Sequence, residues 1–178
     1  NAFNNNVDTG LYADANGDIQ ANNVTASDNG AYGAELYSLN DVVLTGTNIF
    51  TGNTDSGVYA EATGNIEAEN VTASSNDGNG AEFNSLNDVI LTGTNEFRDN
   101  VNSGLYVETG NNIDAENITA NGNGGSGAEL YSVSDVTVSG TNVFNDNTDS
   151  GLYAESDGDI NAENITANAN GINGAELY

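Results

Sequence analysis

Apolar and polar residues alternate along this chain. In GLYAE (151–155) Leu152 and Ala154 share one side while Tyr153 and Glu155 take the other. DINAE (159–163) does the same with Ile160 and Ala162, and NITA (164–167) with Ile165 and Ala167. A period of two is that of a strand, not a helix. Gly, Asn, Asp and Ser cluster between the three segments, where the backbone has to turn. The same three-segment block recurs down the chain. A glycine stands at 10, 33, 57, 80, 104, 127, 151 and 174, at spacings of 23 and 24 residues in turn. Eight residues after each of the first seven comes an Asp/Asn–Ile/Val pair, and an asparagine closes each block at 6, 29, 53, 76, 100, 123, 147 and 170. The pattern predicts an all-β, single-stranded parallel β-helix (β-solenoid) with three short strands in each rung of 23–24 residues.

Similar rungs alternate, so the full repeat is two rungs, 47 residues, with units at 1–47, 48–94, 95–141 and 142–178 and no insertion between them. The alternation is one of size at inward positions. Leu11, Ala34, Val58, Ala81, Leu105, Ala128, Leu152 and Ala175 form one column; Ala21, Leu44, Ala68, Leu91, Ala115, Val138 and Ala162 form another. Phe3, Phe50, Phe97 and Phe144 trade places with Ala26, Ala73, Ala120 and Ala167. Large residues stacked over small ones fill a narrow interior without voids.

The closing asparagines Asn6, Asn29, Asn53, Asn76, Asn100, Asn123, Asn147 and Asn170 read as scaffold. Asparagine tolerates the left-handed backbone of a tight turn, and stacked amides hydrogen-bond from rung to rung. Outward positions alternate too. Tyr12, Tyr59, Tyr106 and Tyr153 interleave with Glu35, Glu82, Glu129 and Glu176, while two residues on Tyr37, Tyr131 and Tyr178 interleave with Asp14, Glu61, Glu108 and Glu155. This checkerboard keeps like charges in a column two rungs apart, about 9.6 Å, a distance over which physiological salt screens most of their repulsion.

FTGNTDSGVYA (50–60), FNDNTDSGLYA (144–154) and GAELY (33–37, 127–131) resemble the FxxN and GGA(I/L/V) repeats of polymorphic-membrane-protein-like chains. More broadly they resemble the right-handed parallel β-helix repeats of large bacterial surface exoproteins of the filamentous-haemagglutinin type. The resemblance implies a right-handed coil, display outside the cell or on its surface, and a role in adhesion. The chain has one glycine where GGA has two.

Composition sharpens this picture. The 178 residues carry a formal net charge of −26, with Arg98 the one basic side chain and no His, Cys, Met, Trp or Pro. Disulfides and Cys-ligated zinc are therefore excluded. So much negative charge disfavours nucleic acid as a partner, and no apolar run is long enough to enter a membrane. Over about 7.5 rungs at 4.8 Å, the rod carries roughly one charge per 1.4 Å, close to duplex DNA. It attracts counter-cations and keeps its neighbours at a distance.

The scaffold bears on several candidate chemistries. A metal column is offered by Asp18, Asp41, Asp88, Asp135 and Asp159, since Asp18 lies over Asp41 and Asp135 over Asp159; such oxygens suit Ca²⁺, whereas the competing reading makes each one a turn residue. No cofactor is required. Lyase chemistry on acidic sugars needs a base, and Arg98 stands alone where sister units have Asn4, Thr51 and Asn145, so the chain reads as a non-enzyme. Thr45-Gly46-Thr47, Thr92-Gly93-Thr94 and Ser139-Gly140-Thr141 occur on alternate rungs only, too sparse for a flat ice-binding array; the added residue there reads as a bulge or turn. Asn23, Asn70, Asn117 and Asn164 open N-x-T acceptor patterns. Tyr12, Tyr59, Tyr106, Tyr153, Tyr37 and Tyr131 form a face for glycan stacking or for lateral contact between rods. The chain starts mid-rung at NAF and stops at GAELY without caps, so it reads as a window of a longer array. The expected partners are copies of itself, end to end or side by side, and glycans.

Overall fold

The computed structural model describes the whole chain, Asn1–Tyr178. Every regular element is a strand, and all pairing is parallel between a strand and its counterpart one rung away. A typical rung runs Ala81–Ser85, Val89–Thr92 and Asn95–Arg98. The first strands of successive rungs make an eight-stranded sheet, and the second and third strands make seven-stranded sheets. Three sheets wrapped round one coil leave a narrow core of 33 buried apolar residues in a single cluster.

The size alternation read from the sequence is the register of that core. Ala26 pairs with Phe50, Phe50 with Ala73, and Phe97 with both Ala73 and Ala120. Phe50, Phe83, Phe97 and Phe144 have no accessible surface. The outward checkerboard holds as well: Glu82 pairs with Tyr59 below and Tyr106 above. On the second sheet Glu67 lies between Val43 and Ile90, and Asp114 between Ile90 and Thr137.

The asparagine ladder runs unbroken at the corner between the third and first sheets. Asn100 shows the pattern. Its Oδ1 accepts from the backbone N–H and the Nδ2 of Asn76, at 3.1 and 3.0 Å. Its own Nδ2 donates to Asn123 Oδ1 at 3.0 Å and to the Ala73 carbonyl at 3.2 Å. The same set repeats from Asn29 to Asn147, all of them at most 2% exposed. Full pairing is the condition on which polar side chains enter a core. The rung glycine sits against this ladder: a Cβ on Gly104 would lie 2.6 Å from the Gly127 carbonyl oxygen and 2.8 Å from Asn123 Nδ2.

The ladder asparagines are not the left-handed residues. That conformation falls one position earlier, on Asn5, Asp28, Gly52, Ser75, Asp99, Gly122, Asp146 and Ala169, with φ between 55 and 70°. The ladder amide has to point inward to meet the rungs on either side, so the preceding residue makes the turn.

The residue that separates 24-residue from 23-residue rungs is also located. Gly46, Gly93 and Gly140 turn with φ of 75–79°, and Thr47, Thr94 and Thr141 follow as the insertion. In the shorter rungs Asn23, Asn70, Asn117 and Asn164 make the same left-handed turn alone. The TG step is thus a turn and not an exposed threonine array.

Candidate functional site

Residues two and four places after each rung glycine point outward from the first sheet, and that is where the tyrosines lie. The sequence separates them into two columns; the structure joins these diagonally into one file. Ring centroids are 6.1 Å apart for Tyr12–Tyr37 and 5.7 Å for Tyr37–Tyr59. They are 5.6 Å apart for Tyr106–Tyr131, 5.5 Å for Tyr131–Tyr153 and 5.6 Å for Tyr153–Tyr178. Planes tilted by 42–54° at these separations are favourable aromatic pairs. Tyr32, from a corner, adds a ring 5.9 Å from Tyr59.

Each file member except Tyr12 also donates its hydroxyl to a carboxylate on its own strand. Tyr37 and Tyr131 donate to Glu35 and Glu129, at 2.8 and 3.2 Å. Tyr59, Tyr106 and Tyr153 donate to Glu61, Glu108 and Glu155, at 3.1, 3.2 and 2.9 Å. In Tyr37, Tyr59, Tyr106 and Tyr131 partial burial first, and then the facing carboxylates, make the phenol hard to ionise; in Tyr153 the hydrogen bond to Glu155 leads. Tyr37 and Tyr131 are pushed well above the ordinary value, and Tyr106 is pushed up to about 12 by burial and by Glu108.

The file has one break. The position held by Tyr37, Tyr131 and Tyr178 is Asn84 in the rung between Tyr59 and Tyr106. A groove of about 660 Å³ runs along this face from Asp14 and Tyr37 past Tyr59, Asn84 and Leu86 to Tyr106. Leu86 belongs to a stripe of aliphatics, with Leu39 and Val133 at the same place in their rungs, 59–69% exposed beside the tyrosines. The sequence reading passed over this stripe, although its 47-residue spacing is visible in SLND, SLND and SVSD.

The aspartate column is committed to the backbone. Asp41 Oδ1 accepts the N–H of Asn65 at 2.8 Å, Asp88 Oδ1 that of Asn112 at 3.1 Å, and Asp135 Oδ1 that of Asp159 at 2.9 Å. Asp18 Oδ1 faces the Asp41 N–H at 3.5 Å. Asp41, Asp88 and Asp135 each give one oxygen to the next rung in this way, and no three acidic side chains are grouped closely enough to hold a metal ion. The acceptor-pattern asparagines are engaged likewise: Asn70 Nδ2 donates to the Gly46 carbonyl at 3.2 Å while its Oδ1 accepts from Thr94 N–H at 3.1 Å. Arg98 lies on the third sheet, away from the tyrosines, with Nε 2.5 Å from Glu96 Oε1.

A second set of buried asparagines escaped the sequence reading. Asn48, Asn95 and Asn142 have no accessible surface and share a column with Val24, Val71, Ile118 and Ile165. Asn95 Oδ1 accepts the Val71 N–H at 3.1 Å, and its Nδ2 donates to the Thr92 and Glu116 carbonyls at 3.2 and 3.0 Å. These amides satisfy the corner that the added Gly-Thr step opens.

A family model described as a right handed beta helix region matches residues 46–178. The chain belongs to the right-handed β-helix family. No curated protein and no solved structure matches it. The β-helix family includes enzymes such as pectate lyases, so membership by itself assigns no activity.

Proposed function

We propose that this β-helix is a structural, non-catalytic element: a stiff, polyanionic rod forming a segment of an extracellular fibre or a giant cell-surface adhesin. One observation carries the reading. The buried asparagine ladder continues through every rung, and its neighbouring polar groups are occupied in holding one rung to the next. An active site needs side chains free to act, whereas these side chains are bonded into the scaffold. The likeness of FTGNTDSGVYA and GAELY to surface-exoprotein repeats supports display outside the cell. In this reading the ladders give stiffness, and the carboxylate coat keeps rods soluble and apart until cations screen it.

Static light scattering across salt concentration tests this. Rods spaced by their charge repel at low salt, and the repulsion fades as NaCl rises; millimolar Mg²⁺ or Ca²⁺ then brings them together. Association at low salt that divalent cations do not alter would contradict it. The exposed Tyr/Glu face supports a second reading, a glycan-binding module. Glycan-array binding that Tyr106→Ala and Tyr153→Ala abolish would put that reading in place of the first.

A further inference from the structure

The break at Asn84 differs in kind from the rest of the tyrosine face. Elsewhere each ring fills the gap between the rings of adjacent rungs. Here Tyr59 and Tyr106 are two rungs apart, roughly 9.6 Å, and the ring that would stand between them is absent. The shorter Asn84 side chain is all that stands between them, and the gap opens onto the groove of about 660 Å³ that continues along this face to Tyr37 and Asp14. Its rim is anionic: Glu82 lies between the two tyrosines, and Glu61 and Glu108 flank Asn84 in register.

Glu82 has also lost a donor. Its counterparts Glu35, Glu129 and Glu176 each receive a tyrosine hydroxyl from two residues on, at 2.8–3.2 Å. With asparagine at 84 that hydroxyl is missing, and Glu82 keeps the Asn79 Nδ2 at 3.0 Å. The site therefore offers two aromatic faces, a carboxylate short of its usual donor, and two more carboxylates, with no cation nearby. The chain's own Arg98 is on another sheet and paired with Glu96.

We propose that the Asn84 gap is a docking slot for an arginine side chain presented by a basic peptide segment of a partner. A guanidinium is planar, stacks on tyrosine faces, and carries its N–H donors in the plane, where the glutamates stand. It is weakly hydrated and so enters a half-buried slot more readily than an ammonium. The net charge of −26 draws such a segment to the rod, and the gap fixes where it stops. Lysine matches the charge but not the shape. A scaffold with one such slot among its rungs positions a basic partner at a defined height.

The test uses the intact chain with acetyl-Gly-Arg-Gly-amide as probe and acetyl-Gly-Lys-Gly-amide as control, followed by NMR chemical shifts at about 150 mM NaCl. The decisive variant is Asn84→Tyr, which restores the residue that sister rungs carry and so preserves the fold. The arginine peptide should give saturable shifts confined to Tyr59, Asn84 and Tyr106. Its affinity should fall at least tenfold on Asn84→Tyr and severalfold for lysine in place of arginine. A second variant, Glu82→Gln, should weaken binding severalfold without closing the slot. Shifts spread evenly along the tyrosine file, equal binding to wild type and Asn84→Tyr, equal affinity for the two peptides, or no saturable shift would each overturn the proposal.

Discussion

Two ladders climb this coil, and they obey different rules. The inner one, at the corner between the third and first sheets, repeats asparagine in every rung, and each interior amide donates twice and accepts twice. The outer one, the tyrosine file, is interrupted at Asn84 while the coil continues unchanged through that rung. Burial explains the contrast. An unpaired amide in the core costs the desolvation of every group left without a partner, about 1–3 kcal/mol each. A missing outer ring exposes its neighbours to water, which solvates them. The interior thus fixes what the coil is, and the exterior is where rungs are free to differ. Asn84 is such a difference, and it marks the proposed arginine slot.

The sharpest way to break the comparison is to cut one inner step. Asn100→Ala strands the Asn76 N–H and one Nδ2 proton of Asn76, the other staying on the Phe50 carbonyl, and removes a donor from the Ala73 carbonyl. It is expected to lower unfolding free energy by about 4 kcal/mol or more, measured by equilibrium denaturation. A loss below about 1 kcal/mol would mean that water or slippage repairs the ladder, and the contrast would collapse.

Alkaline titration should come next in size, because it acts on the whole file at once. Tyr37, Tyr59, Tyr106, Tyr131 and Tyr153 have raised values in the fold, with Tyr106 at about 12. Their contribution is therefore complete below the unfolded value of about 10 and is lost as pH rises through the raised values. The melting temperature should be level from pH 7 to 9 and fall steadily above 10. A level profile through pH 12 would show that the file contributes nothing to stability.

Removing one outer ring should cost less than cutting the ladder. Tyr131→Ala deletes two ring pairs, with Tyr106 and Tyr153, and is expected to destabilise by about 1–2 kcal/mol. A loss matching that of Asn100→Ala would erase the distinction between the ladders. The smallest expected effect is that of a chelator. With the aspartate oxygens already accepting backbone N–H groups, melting with and without EDTA should give the same midpoint. A drop of several degrees would assign those oxygens to calcium instead.

Much of this was legible in the sequence, for a definite reason. Period two separates inside from outside within a strand, and the 47-residue repeat reports which residue stacks on which, so Phe97 over Ala73 could be read directly. Parity fails at the corners, because each turn resets which side faces in. That is why the left-handed residue was placed on the ladder asparagine and not on Asp99 before it, and why Asn95, preceded by the added Gly-Thr step, was not recognised as buried. Diagonal contacts escape for a related reason. Column reading compares a position only with itself, whereas Tyr131 meets Tyr106 and Tyr153 across two positions. The groove at Asn84 exists only once that diagonal is known.

The central claim is that the inner ladder holds the coil together as one cooperative body, and native-state hydrogen exchange of the asparagine side-chain amides measures it most directly. The Nδ2 protons of Asn53, Asn76, Asn100 and Asn123, each bonded to the next rung and to a carbonyl, should exchange only through global unfolding, with one common free energy equal to that from denaturation. Exchange of these protons well ahead of global unfolding, or at rates that differ from rung to rung, would contradict it.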